Sequence, residues 1–154
     1  MRKIGQIVLG FSVLTFSACA SLETQNASDK TQLNSPTDGL AAQELEIGEC
    51  GMFFWTDTHP RTFILFQKQG SAEAKYYAGT TEINLTTNQN TNNMDDIAVF
   101  DISYNHPDYT VFNIKGSFSD ILEGGRRITN ARIKTKKAET WEEIQPVTGI
   151  YGCR

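Results

Sequence analysis

The chain has 154 residues, with 14 Lys and Arg against 18 Asp and Glu and a formal net charge of −4. That is enough for one domain after any leader is removed. An acidic balance argues against a general nucleic-acid binder.

The N-terminus carries Arg2 and Lys3, then an apolar run from Ile4 to Phe16, then Ser17-Ala18-Cys19. Two cations, a short apolar stretch and small residues form an export signal. The run is too short for a membrane span, which needs about 20 apolar residues. Phe16-Ser17-Ala18-Cys19 resembles the lipobox of bacterial lipoproteins, with Phe16 where Leu is commonest. The resemblance implies cleavage before Cys19, diacylglycerol on its thiol and acylation of the new amine. Several acyl chains anchor far more firmly than one. Ala20 stands where Asp would retain a lipoprotein at the inner membrane, so the resemblance implies the outer membrane, facing the periplasm. Ordinary cleavage after Ala20 is the other reading, and it leaves a soluble periplasmic or secreted protein.

Without Arg2 and Lys3, 12 basic and 18 acidic residues remain, a net of −6. Residues 1–18 are thus read as signal peptide and 19–43 as a lipidated, disordered tether rich in Ser, Thr, Gln and Asn. About 20 residues of such chain reach on the order of 25 Å. Pro36–Glu46 is expected to hold one short helix, capped by Thr37 or Asp38, with Leu40, Ala41 and Leu45 on one side.

From residue 44 the chain reads as a β-rich globular domain. Cys50–Trp55 and Thr62–Gln67 are apolar aromatic strands around a turn at Thr56–Pro60. Both are apolar on both faces, which calls for cover on both sides or an apolar patch for a partner. Lys75–Ala78 and Thr81–Thr86 flank Gly79. Asn88–Asn93 is a Gln/Asn-rich surface loop, and Ile97–Ile102 the next strand. Asn105–Asp108 is a turn. In Tyr109–Ser119, Phe112, Ile114 and Phe118 alternate with polar residues. Glu123-Gly124-Gly125 turns the chain into Arg126–Lys136. Trp141–Gln145 and Val147–Cys153 close the chain, interrupted by Pro146. Short strands with frequent turn signals predict an all-β fold, a small antiparallel barrel or sandwich.

With Cys19 assigned to lipid, Cys50 and Cys153 remain as an even pair in an oxidising compartment, and one disulfide is expected. It would join the first and last strands and favour a closed sheet.

Few residues suggest chemistry. His59 and His106 each precede a proline and lie near Asp57 and Asp108, a set that a metal would need gathered at one end of the fold. Asp, Asn, His and Pro are also ordinary turn residues, and no metal or other cofactor is expected. Asp95-Asp96 and Glu142-Glu143 are adjacent acids whose side chains point apart on a strand, so no catalytic carboxylate pair is expected. No serine sits in Gly-x-Ser-x-Gly. Residues 124–137 carry Arg126, Arg127, Arg132, Lys134, Lys136 and Lys137 and no acid. Arg132, Lys134 and Lys136 fall on one strand side, a row suited to an anionic envelope polymer or an acidic envelope protein.

Glu49 to Trp55, Glu123 to Arg127 and Pro146 to Cys153 resemble uncharacterised exported proteins of alphaproteobacteria, a resemblance that implies an extracytoplasmic address and no activity. The overall plan also resembles the small β-barrel lipoproteins that inhibit lysozyme. The expected function is a membrane-anchored envelope lipoprotein with a non-catalytic binding or structural role. The alternative is an inhibitor of a secreted hydrolase such as lysozyme, and an enzyme is the third reading.

Overall fold

The computed structural model describes residues 38–154. The segments expected to be a signal peptide and a tether, and Cys19 expected to carry lipid, fall on residues 1–37 and so lie outside the described residues, apart from 38–43. The described chain is an all-β meander. Its strands are β1 Cys50–Thr56, β2 Phe63–Lys68, β3 Glu73–Tyr77, β4 Glu82–Thr86, β5 Val99–Ser103, β6 Tyr109–Leu122, β7 Gly125–Lys137 and β8 Glu143–Cys153. All pairings are antiparallel, in the order β4-β3-β2-β1-β8-β7-β6-β5. Each strand therefore lies beside its sequence neighbour, and β1 and β8 join the two halves.

The sheet curls into a half-barrel, and one isolated bridge links the end of β4 to Asn105, past the end of β5. Thr86 N–H donates to Asn105 O at 3.1 Å, and Asn105 N–H returns to Thr86 O at 2.7 Å. Beyond that bridge, side chains replace the ladder. Thr87 Oγ1 donates to Ser103 O at 2.8 Å, and Gln89 Nε2 to Asp101 O at 3.1 Å. Gln89 Oε1 accepts the Ser103 amide. The β5 edge is thereby covered rather than left to pair with another chain.

Alternation decides what faces inward. Phe112, Ile114, Gly116 and Phe118 of β6 are buried, while their neighbours are half-exposed. Gly116 is small because Phe100 and Ala131 occupy the space a Cβ would fill, at 2.8 and 2.9 Å. On β7 the phase changes at Asn130, which takes φ 52° where the register against β8 slips. That bulge puts both Ile128 and Ala131 inside.

Cys50 and Cys153 are partners in the β1–β8 ladder and form the expected disulfide, with Cα atoms 4.0 Å apart. Pro146 does not interrupt the last strand, contrary to the sequence reading. Pro146 O accepts Asp57 N–H, so its missing N–H also points toward β1, just beyond the last ladder pair Thr56–Val147. Little pairing is lost there.

The expected helix before Glu49 is also corrected. Among the described residues, 40–46 are neither helix nor strand, and the one helical turn is a 3₁₀ turn at Met94–Asp96. Gly39 has φ 130°, outside the helical region, and Leu40 N–H donates to Phe63 O at 2.8 Å. Residues 38–49 instead form a strap on the outer face of β1 and β2. Leu40 and Leu45 pack there against Phe66, with Phe53 and Phe63 alongside. This cover explains the two-sided apolar character of both strands. It also places the start of the packed domain upstream of residue 44, since Leu40 is only 2% exposed. Leu40→Ala should cost about 2–3 kcal/mol, at the low end for such a truncation because a surface strap relaxes. Urea unfolding measures this, and an unchanged midpoint would show that the strap contributes no stability.

Candidate functional site

Neighbour-to-neighbour connectivity puts the β1–β2, β3–β4, β5–β6 and β7–β8 connections at one end. The β2–β3, β4–β5 and β6–β7 connections lie at the other end, with the disulfide. That second end is closed by the β4–β5 connection. Thr87, Thr91 and Met94 are buried there. Thr91 Oγ1 accepts Gly70 N–H at 3.0 Å, and Asn92 O accepts the Gln69 amide. Arg126 Nη1 donates to Ile97 O at 3.1 Å. The Gln/Asn-rich stretch is a plug, since its polar side chains satisfy turn and edge backbone groups.

The first end is open. A cavity of about 690 Å³ lies there, with Thr56, Ile64, Tyr76, Thr135, Glu143 and Gln145 in its wall. Register explains the set. Glu143 faces Thr135, and Gln145 faces the buried Ile133, so β8 sends both polar side chains inward. Tyr77, Ala78 and Gly79 reach it from the β3–β4 connection, and Tyr109, Lys137 and Trp141 from β6 and the β7–β8 hairpin. Asp38, the first described residue, stands at the same rim.

The aromatic side of this mouth is fixed from behind. Phe112 meets the rings of Tyr76, Tyr104 and Tyr109 edge-on, at 4.8, 5.9 and 5.4 Å. Lys137 Nζ sits 5.4 Å from the Tyr109 ring centre, a cation over an aromatic face. Trp141 differs from these rings, because it is 91% exposed.

Burial pushes the Tyr76 hydroxyl up to about 12, and the charges of Tyr109 and Glu143 add to the effect. Burial also raises Tyr104. A tyrosine whose folded value exceeds its unfolded value of about 10 favours folding below that pH. Its contribution is lost as pH rises through the folded value. Stability should therefore fall between about pH 10 and 12. Tyr76→Phe should flatten that fall in denaturant titrations at stepped pH, and an unchanged slope would count against it.

The cations singled out from sequence divide. Arg132, Lys134 and Lys136 do lie opposite the buried Ala131, Ile133 and Thr135. Lys134 pairs with Glu142 at 2.9 Å. Arg132 is exposed beside Lys115 in a shallow groove, and Lys136 reaches the rim of the mouth. Arg126 lies 4.8 Å from the Phe118 ring centre, and Arg127 pairs with Asp120 at 3.6 Å. The basic run is thus not one patch. Glu142 and Glu143 point apart as expected, one to Lys134 and the other into the mouth.

His59 and His106 both belong to connections at the open end. His106 Nδ1 accepts Asp108 N–H at 3.1 Å, and its ring meets Tyr109 at 5.5 Å. Among the described residues no three His, Cys, Asp or Glu side chains gather as a metal site would require.

Sequence reading did not single out the mouth. Its one available signal was that Tyr77 and Tyr109 stand at strand ends beside connections of one end, and that Trp141 lies within another connection of that end. No family model matches the chain, and no curated protein or solved structure matches it.

Proposed function

We propose that the chain is a lipid-anchored protein of the cell envelope, held through Cys19 at the outer membrane. Its role is non-catalytic binding, exercised by the open mouth of the barrel. The observation that carries this reading is the cup itself. One end is plugged and stapled, while the other holds a cavity with convergent polar groups and fixed rings, the usual form of a small-ligand site. The Cys50–Cys153 bridge fits an address outside the cytoplasm. Asp38, the first described residue, stands on the rim, which supports a lipid tether that holds the mouth rather than the plugged end near the membrane. A hydrolase inhibitor would need a projecting loop. The 87–98 connection, the longest available, is bonded back across the closed end instead.

A photo-reactive residue at Trp141 samples the mouth, and one at Val99 samples the outer wall near Arg132. In cells making the full chain, adducts with envelope components are expected from position 141 and not from 99. Adducts from 99 alone, weakened by salt, would move the site to the basic outer wall. Adducts from neither would overturn the binding role. Cys19→Ser should abolish fatty-acid labelling, and undiminished labelling would remove the anchor.

A further inference from the structure

We propose that the mouth takes a short uncharged glycan, an inference that rests on the mouth being the binding site. The argument starts from what its walls lack. A fatty acyl chain wants a dry apolar sleeve, but aliphatic side chains here are confined to Ile64 and Ala78. A phosphate or polyanion wants an excess of cations, but Lys136 and Lys137 are balanced by Asp38 and Glu143. What remains is aromatic rings together with neutral hydrogen-bonding groups.

That combination suits a pyranose. A sugar ring has an apolar face of C–H groups, which stacks on an aromatic ring, and an equator of hydroxyls that both donate and accept. The rings are Tyr76, Tyr77, Tyr109 and Trp141. The hydroxyl partners are Thr135 and Gln145, with the Glu143 carboxylate as a strong acceptor. A volume of about 690 Å³ lies within the usual range for a small-ligand site.

Rigidity differs between the inner and outer rings. Tyr76 and Tyr109 are held edge-on by Phe112, and Tyr109 also by Lys137 and His106. Ordering them has already been done by folding, so a ligand loses little entropy in meeting them. Trp141 is 91% exposed, and among the described residues its ring stacks on no other. An indole left in water at the rim of a cavity gains the most from covering a sugar face, because both surfaces lose water together.

The test is a titration of the full chain, isotope-labelled, followed at the indole N–H signals of Trp55 and Trp141. The probes are chitotriose, cellotriose and maltotriose, with laurate and inorganic phosphate beside them. At least one trisaccharide should move the Trp141 signal saturably, with a dissociation constant of about millimolar or tighter, and leave Trp55 unmoved. Trp141→Ala should weaken that binding at least about tenfold. Trp141 is too exposed for its loss to unfold the protein, and Glu143→Gln provides a second, near-isosteric variant, expected to weaken binding as well. Saturation by laurate or phosphate with no response to any trisaccharide would overturn the glycan while leaving the mouth as a binding site. No response to any probe would overturn the glycan too, and adducts from position 141 would then decide whether the binding role survives. Trisaccharide shifts confined to Trp55 would place the contact on the outer wall and overturn the proposal.

Discussion

Replacing Cys50 and Cys153 together by serine is expected to lower the stability of the folded domain by about 2–5 kcal/mol, one of the two largest losses expected here. The bridge closes 103 residues of separation. By the chain-entropy argument a loop of about 100 residues is worth about 4.7 kcal/mol, because the cross-link denies the unfolded chain most of its expanded conformations. Native contacts should change little. The β1–β8 ladder continues for six further pairs, from Gly51–Gly152 to Thr56–Val147. The double variant should therefore keep a β-type circular dichroism spectrum and melt lower by on the order of 10–20 °C. Reductant should reproduce the shift in the unaltered protein and do nothing to the variant. Two free thiols in protein purified without reductant, or a midpoint insensitive to reductant, would refute the staple.

The strands were legible because their burial alternates with the period of the backbone. Phe112, Ile114 and Phe118 announce β6, and the two apolar faces of Met52–Trp55 call for either cover on both sides or an apolar patch for a partner. The identity of that cover was not legible. Leu40 and Leu45 reach the sheet along a strap without regular structure, and neither a helical nor a strand period marks such a segment. The strap was misread as a helix because two leucines and an alanine close in sequence look amphipathic. What decided against the helix was tertiary: a hydrogen bond to Phe63 and a glycine at φ 130°. Asn88–Asn93 reads as a surface loop, and all of it but Thr91 is exposed, yet its part in closing the end is not visible from composition. Thr87 and Thr91 are buried because their hydroxyls bond to backbone groups far along the chain, which composition does not reveal. The mouth is the extreme case. Tyr76, Tyr109, Thr135 and Glu143 come from four strands and meet only when the sheet has curled. The Arg132, Lys134 and Lys136 row was visible because one strand carries it, and ion pairing with Glu142 across the β7–β8 connection was not.

Phe112→Ala is expected to cost about 3–5 kcal/mol, comparable to losing the disulfide but by a different route. The side chain is 2% exposed, and its ring touches three tyrosine rings. Truncation removes the transfer free energy of a benzyl group and leaves a void that neighbouring strands can only partly fill. Edge-to-face contacts add about 0.5–1.5 kcal/mol per pair beyond the buried area. The consequence for the mouth separates Phe112 from a core residue of merely structural importance. Tyr76 and Tyr109 lean on it from the cavity side, and with the support gone both rings gain freedom. Ligand uptake would then have to order them again. The variant should melt lower and, at a temperature where it remains folded, bind any mouth ligand more weakly. Ile128→Val provides the comparison. Ile128 is 0% exposed in the same core but is not part of the cavity wall, so a smaller loss of about 0.5–1.5 kcal/mol is expected with affinity unchanged. If Phe112→Ala bound as tightly as the unaltered chain, the rings of the mouth would not depend on the core behind them. The proposed preorganisation of Tyr76 and Tyr109 would then be wrong.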